Sequence, residues 1–95
     1  MKKAIVVDPK DNVATLLTDV EKNDLVQVKA GDKVREYKVL EKIQFGHKIA
    51  LSTIDKGQDV VKYGEVIGRA SEDIVKGRHV HVHNVESLRG RGDLA

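Results

Sequence analysis

The chain has 95 residues, too few for more than one domain. Its 40% hydrophobic and 34% charged residues fit a globular domain and argue against disorder, and its net charge of +2 removes the electrostatic case for a nucleic-acid binder. Three aromatics offer no base-stacking platform, no apolar run reaches membrane-spanning length, and the absence of cysteine excludes disulfides and thiolate chemistry.

Residue choice points to strands, because 15 Val and 6 Ile outweigh 7 Leu and β-branched side chains suit a pleated surface. Lys3 to Asp8 reads as a strand stopped by Pro9, and Pro9 to Asn12 as a turn. Val13 to Val20 fits a strand or one to two helical turns. Leu25 to Val28 is a short strand closed by Gly31-Asp32, and Val34 to Ile43 a bent one. A further segment runs from Ile49 to Ile54. Val60 to Tyr63 is a strand ended by Gly64, and Gly68 is placed for close backbone approach. Tyr63 suits packing. Ser71-Glu72-Asp73-Ile74 resembles a capped helical turn. His79 to Val85 reads as the last strand, and 86–95 as a tail that orders only against a partner.

A repeat with a shift of twenty relates Ala50, Ile54, Lys56, Gly57 and Val60 to Ala70, Ile74, Lys76, Gly77 and Val80. Val20, Lys22, Asn23 and Val26 fit a degraded third copy in which Asn replaces the left-handed glycine. The pattern implies pseudo-symmetric halves of one small β domain.

Chemistry concentrates in His79-Val80-His81-Val82-His83-Asn84. On a strand, alternation places the three imidazoles on one face, with Val80 and Val82 beneath, at roughly 6–7 Å Cα spacing. Three outward side chains of one strand diverge too far for one ion. Two of them joined by groups from elsewhere could share an ion, the spacing leaving open which two; His79 and His81 are the pair expected as ligands. The same run would also serve as the solvated face of an edge strand. His47-Lys48, after Gly46, offers a proton carrier beside an anion-binding ammonium, or equally a solvated loop. Arg89 and Arg91, among glycines, suit contact with a partner or an anion.

The order of motifs extends this reading. Asp11-Asn12-Val13-Ala14, Gly46-His47-Lys48-Ile49-Ala50-Leu51, Val61-Lys62-Tyr63-Gly64, Val66-Ile67-Gly68 and His79-Val80-His81-Val82-His83-Asn84 together resemble the SAF domain of the altronate and galactarate dehydratase family. The resemblance runs from Asp11 to about Asp93. It implies an all-β fold of the β-clip type with short helical turns, filling 1–95. It also implies a small subunit of a sugar-acid hydro-lyase that converts D-altronate to 2-dehydro-3-deoxy-D-gluconate and water; a cytoplasmic location is expected separately, from the absence of cysteine and the short apolar stretch at the start. The partner would be a large dehydratase subunit and the cofactor a divalent metal, iron or manganese. Within that frame His81, His83 and His47 are the expected proton-transfer residues. Lys48, Asn84, Arg89 and Arg91 are the expected substrate contacts. Two rival readings remain: the similar small subunit of a sulfolactate sulfo-lyase, and a SAF module that binds without reacting. Exposed β edges would allow self-association.

Overall fold

The β-branched content is realised as strands throughout. The computed structural model describes residues 2–87 and contains no helix among them. Nine strands follow in order: β1 (Lys2–Val6), β2 (Val13–Leu16), β3 (Leu25–Ala30), β4 (Lys33–Lys38), β5 (Lys48–Ala50), β6 (Asp59–Lys62), β7 (Glu65–Ala70), β8 (His79–Val80) and β9 (Val85–Ser87). They form a six-stranded sheet of order β4-β3-β1-β2-β5-β8 and a three-stranded sheet of order β6-β7-β9. Within the larger sheet β1 pairs with β3 in parallel, while β2, β5 and β8 pair antiparallel along the row. This is the all-β architecture expected, without the short helical turns that the resemblance implied.

The repeat organises the core, and it has four copies rather than two or three. Each copy sets an apolar residue, a second four residues on, a left-handed residue three further, and an apolar residue three beyond that. The sets are Leu16, Val20, Asn23, Val26; Val39, Ile43, Gly46, Ile49; Ala50, Ile54, Gly57, Val60; and Ala70, Ile74, Gly77, Val80. All twelve positions other than the left-handed ones are buried. Asn23, Gly46, Gly57 and Gly77 all have positive φ, so Asn23 does replace glycine in the first copy.

The copies clasp in pairs through two isolated bridges, Val20 with Ile43 and Ile54 with Ile74. Each left-handed residue donates its amide to the leading residue of the opposite copy: Asn23 to Val39, Gly46 to Leu16, Gly57 to Ala70 and Gly77 to Ala50. Two carboxylates reinforce the clasp. Asp19 accepts the Phe45 amide and Asp73 accepts the Lys56 amide, each at 2.8 Å. The residues split into two core clusters, one around Leu16, Val20, Ile43 and Ile49, the other around Val13, Ile54, Ile74 and Val80.

Several expectations change. Ser71 to Ile74 forms no helical turn: the Ser71 amide donates to the Asn84 carbonyl, and Ile74 is held extended by its bridge. The alternatives for Val13 to Val20 resolve as β2 followed by the Val20 bridge. The Val34–Ile43 segment breaks after Lys38, because Val39 and Ile43 belong to the second copy. His79 to Val85 is not one strand: β8 ends at Val80, a turn covers 81–84, and β9 starts at Val85. Val82, expected beneath the sheet, is 80% exposed, whereas Val80 is buried as expected. Glu86 and Ser87, placed in the tail, pair with Arg69 and Gly68 on β7. The rest of that segment lies outside the described residues. Tyr63, expected to pack, is exposed at φ 56 in the tight turn between β6 and β7, with the Lys62 ammonium 4.8 Å from its ring centroid. Gly68 does admit a close approach, since a Cβ there would lie 2.4 Å from the Glu86 carbonyl oxygen.

Candidate metal and proton-transfer site

The four histidines converge at one end of the β5–β8 ladder. Lys48 opposes Val80 and Ile49 opposes His79 in that ladder. His47 immediately precedes β5 and His81 immediately follows β8, so the two chain segments leave the ladder at the same end. The rings of His47 and His81 stack with centroids 4.3 Å apart. His79 lies 5.0 Å from His47, 5.3 Å from His81 and 5.1 Å from His83.

The repeat explains why His47 is available. In the first and third copies the residue after the left-handed position closes its own turn through its side chain. Asp24 accepts the Glu21 amide, and Gln58 accepts the Asp55 amide. In the second copy that position is His47, and its ring turns to His79 instead. Nδ1 of His47 and Nε2 of His79 are 2.8 Å apart, one donating and the other accepting.

Asn84 fixes the turn that carries the other imidazoles. It is the one polar or charged residue buried among the described residues, at 4% exposure. Its Oδ1 accepts the His81 amide at 2.9 Å and its Nδ2 donates to the His79 carbonyl at 2.8 Å. The side chain expected to hold a substrate hydroxyl is thus engaged with the backbone on both sides of Val80. This Asx bond, which ends β8 after two residues, is what places His81 over His47.

The electrostatics disfavour the charged form of two of the imidazoles, His79 and His81. Burial holds the His79 pKa down to about 4, with further lowering from His83, His47 and His81 and a small opposing pull from Glu41. His81 is lowered in the same way, by burial first, then His47, Lys48 and His83. Glu41 also accepts the His79 amide at 3.2 Å and lies 3.7 Å from the Arg78 guanidinium, tying the ladder end to the second copy. Sequence reasoning passed over Glu41, since nothing in its spacing announces a partner thirty-eight residues away. Lys48 is half-buried, and its ammonium is lowered by that burial and by Lys62. It shares a cleft of about 170 Å³ with Ile67, His81, Val82, Val85 and Ser87. Arg89 and Arg91 lie outside the described residues.

His47, His79 and His81 each offer one ring nitrogen, and these lie within 4.8 Å of one another. Three imidazole nitrogen donors, two of them at a separation close to the roughly 3 Å of adjacent ligands on one ion, fit a first-row divalent metal. The third nitrogen belongs to His47, on the segment that leads into β5.

The family model of the altronate/galactarate dehydratase SAF domain matches residues 2–88. The chain belongs to this family. The SAF domain is 40% identical over 91 residues to altronate dehydratase of Bacillus subtilis, and 39% identical over 83 residues to that of Escherichia coli. These alignments take in 92% and 87% of this chain but 17% and 16% of the two relatives, so the chain spans about a sixth of their length. It is 34% identical over 88 residues to (2R)-sulfolactate sulfo-lyase subunit alpha of Chromohalobacter salexigens, covering 90% of this chain and 94% of that subunit. No helix among the described residues is long and apolar enough to cross a membrane.

Proposed function

We propose that this SAF domain is the small component of a metal-dependent, cytoplasmic hydro-lyase that removes water from a sugar acid of the altronate type. It would act with a large catalytic polypeptide. The observation that carries the reading is the meeting of three imidazoles from two separate chain segments in a chain whose relatives are named for such eliminations.

His47, His79 and His81 would hold the ion. An all-imidazole set favours iron over manganese, which prefers carboxylate and carbonyl oxygen. A divalent ion there supplies Lewis-acid stabilisation of the charge that develops on a carboxylate when its neighbouring C–H is lost. His83 lies outside the three-nitrogen group yet beside His79, and it would exchange the proton that the leaving hydroxyl needs to depart as water. Lys48 would receive the substrate carboxylate, because its half-buried ammonium gains from an anion that offsets the nearby Lys62. Asn84 acts as a positioning residue through the turn.

A second reading rests on size. The chain covers nearly all of a sulfo-lyase subunit alpha, and there the leaving group would be sulfite. Co-expression with the cognate large chain, iron loading, and parallel assays with altronate, galactarate and sulfolactate test both. Formation of 2-keto-3-deoxy acid only when this chain is present supports the dehydratase. Sulfite release supports the sulfo-lyase. Turnover that is independent of this chain contradicts both.

A further inference from the structure

The four-copy repeat provides an internal control for every surface residue it contains. The residue just before the left-handed position is Lys22 in the first copy, Lys56 in the third and Lys76 in the fourth. In the second copy it is Phe45, 66% exposed. The backbone at this position needs no apolar side chain, because three equivalent turns carry lysine. Phe45 replaces lysine in the one copy that also carries His47.

The opposite loop shows the same anomaly. Turns favour polar residues and glycine, yet Val82 sits in the 81–84 turn between His81 and His83 at 80% exposure. His47 and His81 are stacked, so Phe45 and Val82 lie on the two segments that leave the β5–β8 ladder together. The two segments that carry the histidine cluster thus each also carry an exposed apolar side chain, two residues before His47 and next to His81. Exposed apolar groups beside half-buried polar groups mark a surface that another molecule covers.

We infer that Phe45 and Val82 are the apolar rim on which the large catalytic polypeptide seats, closing the histidine cluster from bulk water. The inference rests on the proposed function and names the surface of that same site. The occupant follows from the relatives: in altronate dehydratases this module is about a sixth of a longer chain, and in the sulfo-lyase it is a subunit. The occupant presents an apolar socket for the Phe45 ring, and its docking excludes water where proton transfer and charge development occur.

The test uses the full chain and the large chain co-expressed with it, with affinity measured by analytical ultracentrifugation. The variants are F45K, which installs the residue of the other three copies, V82S, the double variant, and V34K as a control. Val34 is also exposed but lies on β4, at the far edge of the six-stranded sheet. The expected result is a loss of at least about tenfold for F45K, more for the double variant, and no change for V34K, with the thermal midpoint of the free chain unmoved. A complex that forms and ignores both rim substitutions overturns the inference while leaving the proposed function standing. The absence of any complex overturns both.

Discussion

His47 Nδ1 and His79 Nε2 stand 2.8 Å apart although the two residues are 32 positions apart in sequence. The contact exists because β5 and β8 are neighbours and because the second copy of the clasp leaves its closing position to an imidazole. Two ring nitrogens this close share a proton when alone and can share a metal ion when one is supplied.

Metal binding by the free chain should follow the three-nitrogen group. Calorimetric titration with Co(II) or Zn(II) should show a His47→Ala, His79→Ala or His81→Ala variant weakened by about 100-fold or more, since even outer-shell losses cost 10–100-fold. His83→Ala should change affinity by less than about threefold on the same ligand-count argument. Equal effects from all four substitutions would contradict the assignment.

The His79 titration sets a sign for stability against pH. The folded value is near 4 and the unfolded value near 6.5. Between these the unfolded chain binds more protons than the folded one. The contribution of His79 to the stability of the metal-free chain is therefore full above about pH 6.5 and is lost as pH falls through the window toward about 4. Denaturant unfolding across pH should show this slope, and His79→Gln should flatten it. An NMR midpoint for His79 near 6.5 would contradict the account.

Asn84→Ala removes both bonds that shape the 81–84 turn. It leaves the His81 amide and the His79 carbonyl without their partner and should cost about 1–3 kcal/mol. Metal affinity should fall with it, by about 10–100-fold, as expected for a residue that orients ligands. Chemical denaturation and metal titration check the two effects separately. A variant that keeps full metal affinity would show that the turn is held by other means.

Gly68→Ala brings a methyl group to 2.4 Å from the Glu86 carbonyl oxygen and 2.7 Å from Val85 Cγ1. The crowded methyl should cost about 1–3 kcal/mol. For a domain of this size the thermal midpoint should drop by roughly 4–8 °C per kcal/mol. Gly57→Ala meets no atom and carries only the left-handed penalty of about 1–2 kcal/mol. A Gly68→Ala variant that unfolds at the wild-type temperature would mean that β9 is not held against β7 as described.

The sequence revealed the strand-rich fold and two full copies of the repeat, because β-branched content and a fixed spacing leave local traces. It hid the second copy, where Phe45 stands in place of lysine and the anchors Val20, Ile43, Ile54 and Ile74 are unevenly spaced. The residues of the histidine cluster were visible, but their geometry was not. Strand alternation predicted one face, whereas the Asn84 side chain ends β8 and folds the run back. Which residue from elsewhere would join His79 and His81 depended on β5 lying beside β8, a pairing across thirty residues that no local pattern encodes. Ser71 to Ile74 misled for a related reason: its acids cap the partner copy's turn through Asp73 rather than a helix of its own.

The central claim is that the imidazoles of this SAF domain hold a metal that the elimination uses. The most direct measurement is turnover and metal content of the iron-loaded assembly of this chain with its large chain, wild type against His79→Ala. The account predicts loss of bound iron at this site and a fall in kcat of at least about 100-fold, the complex remaining intact. Unchanged kcat with unchanged iron content in the variant assembly would contradict it.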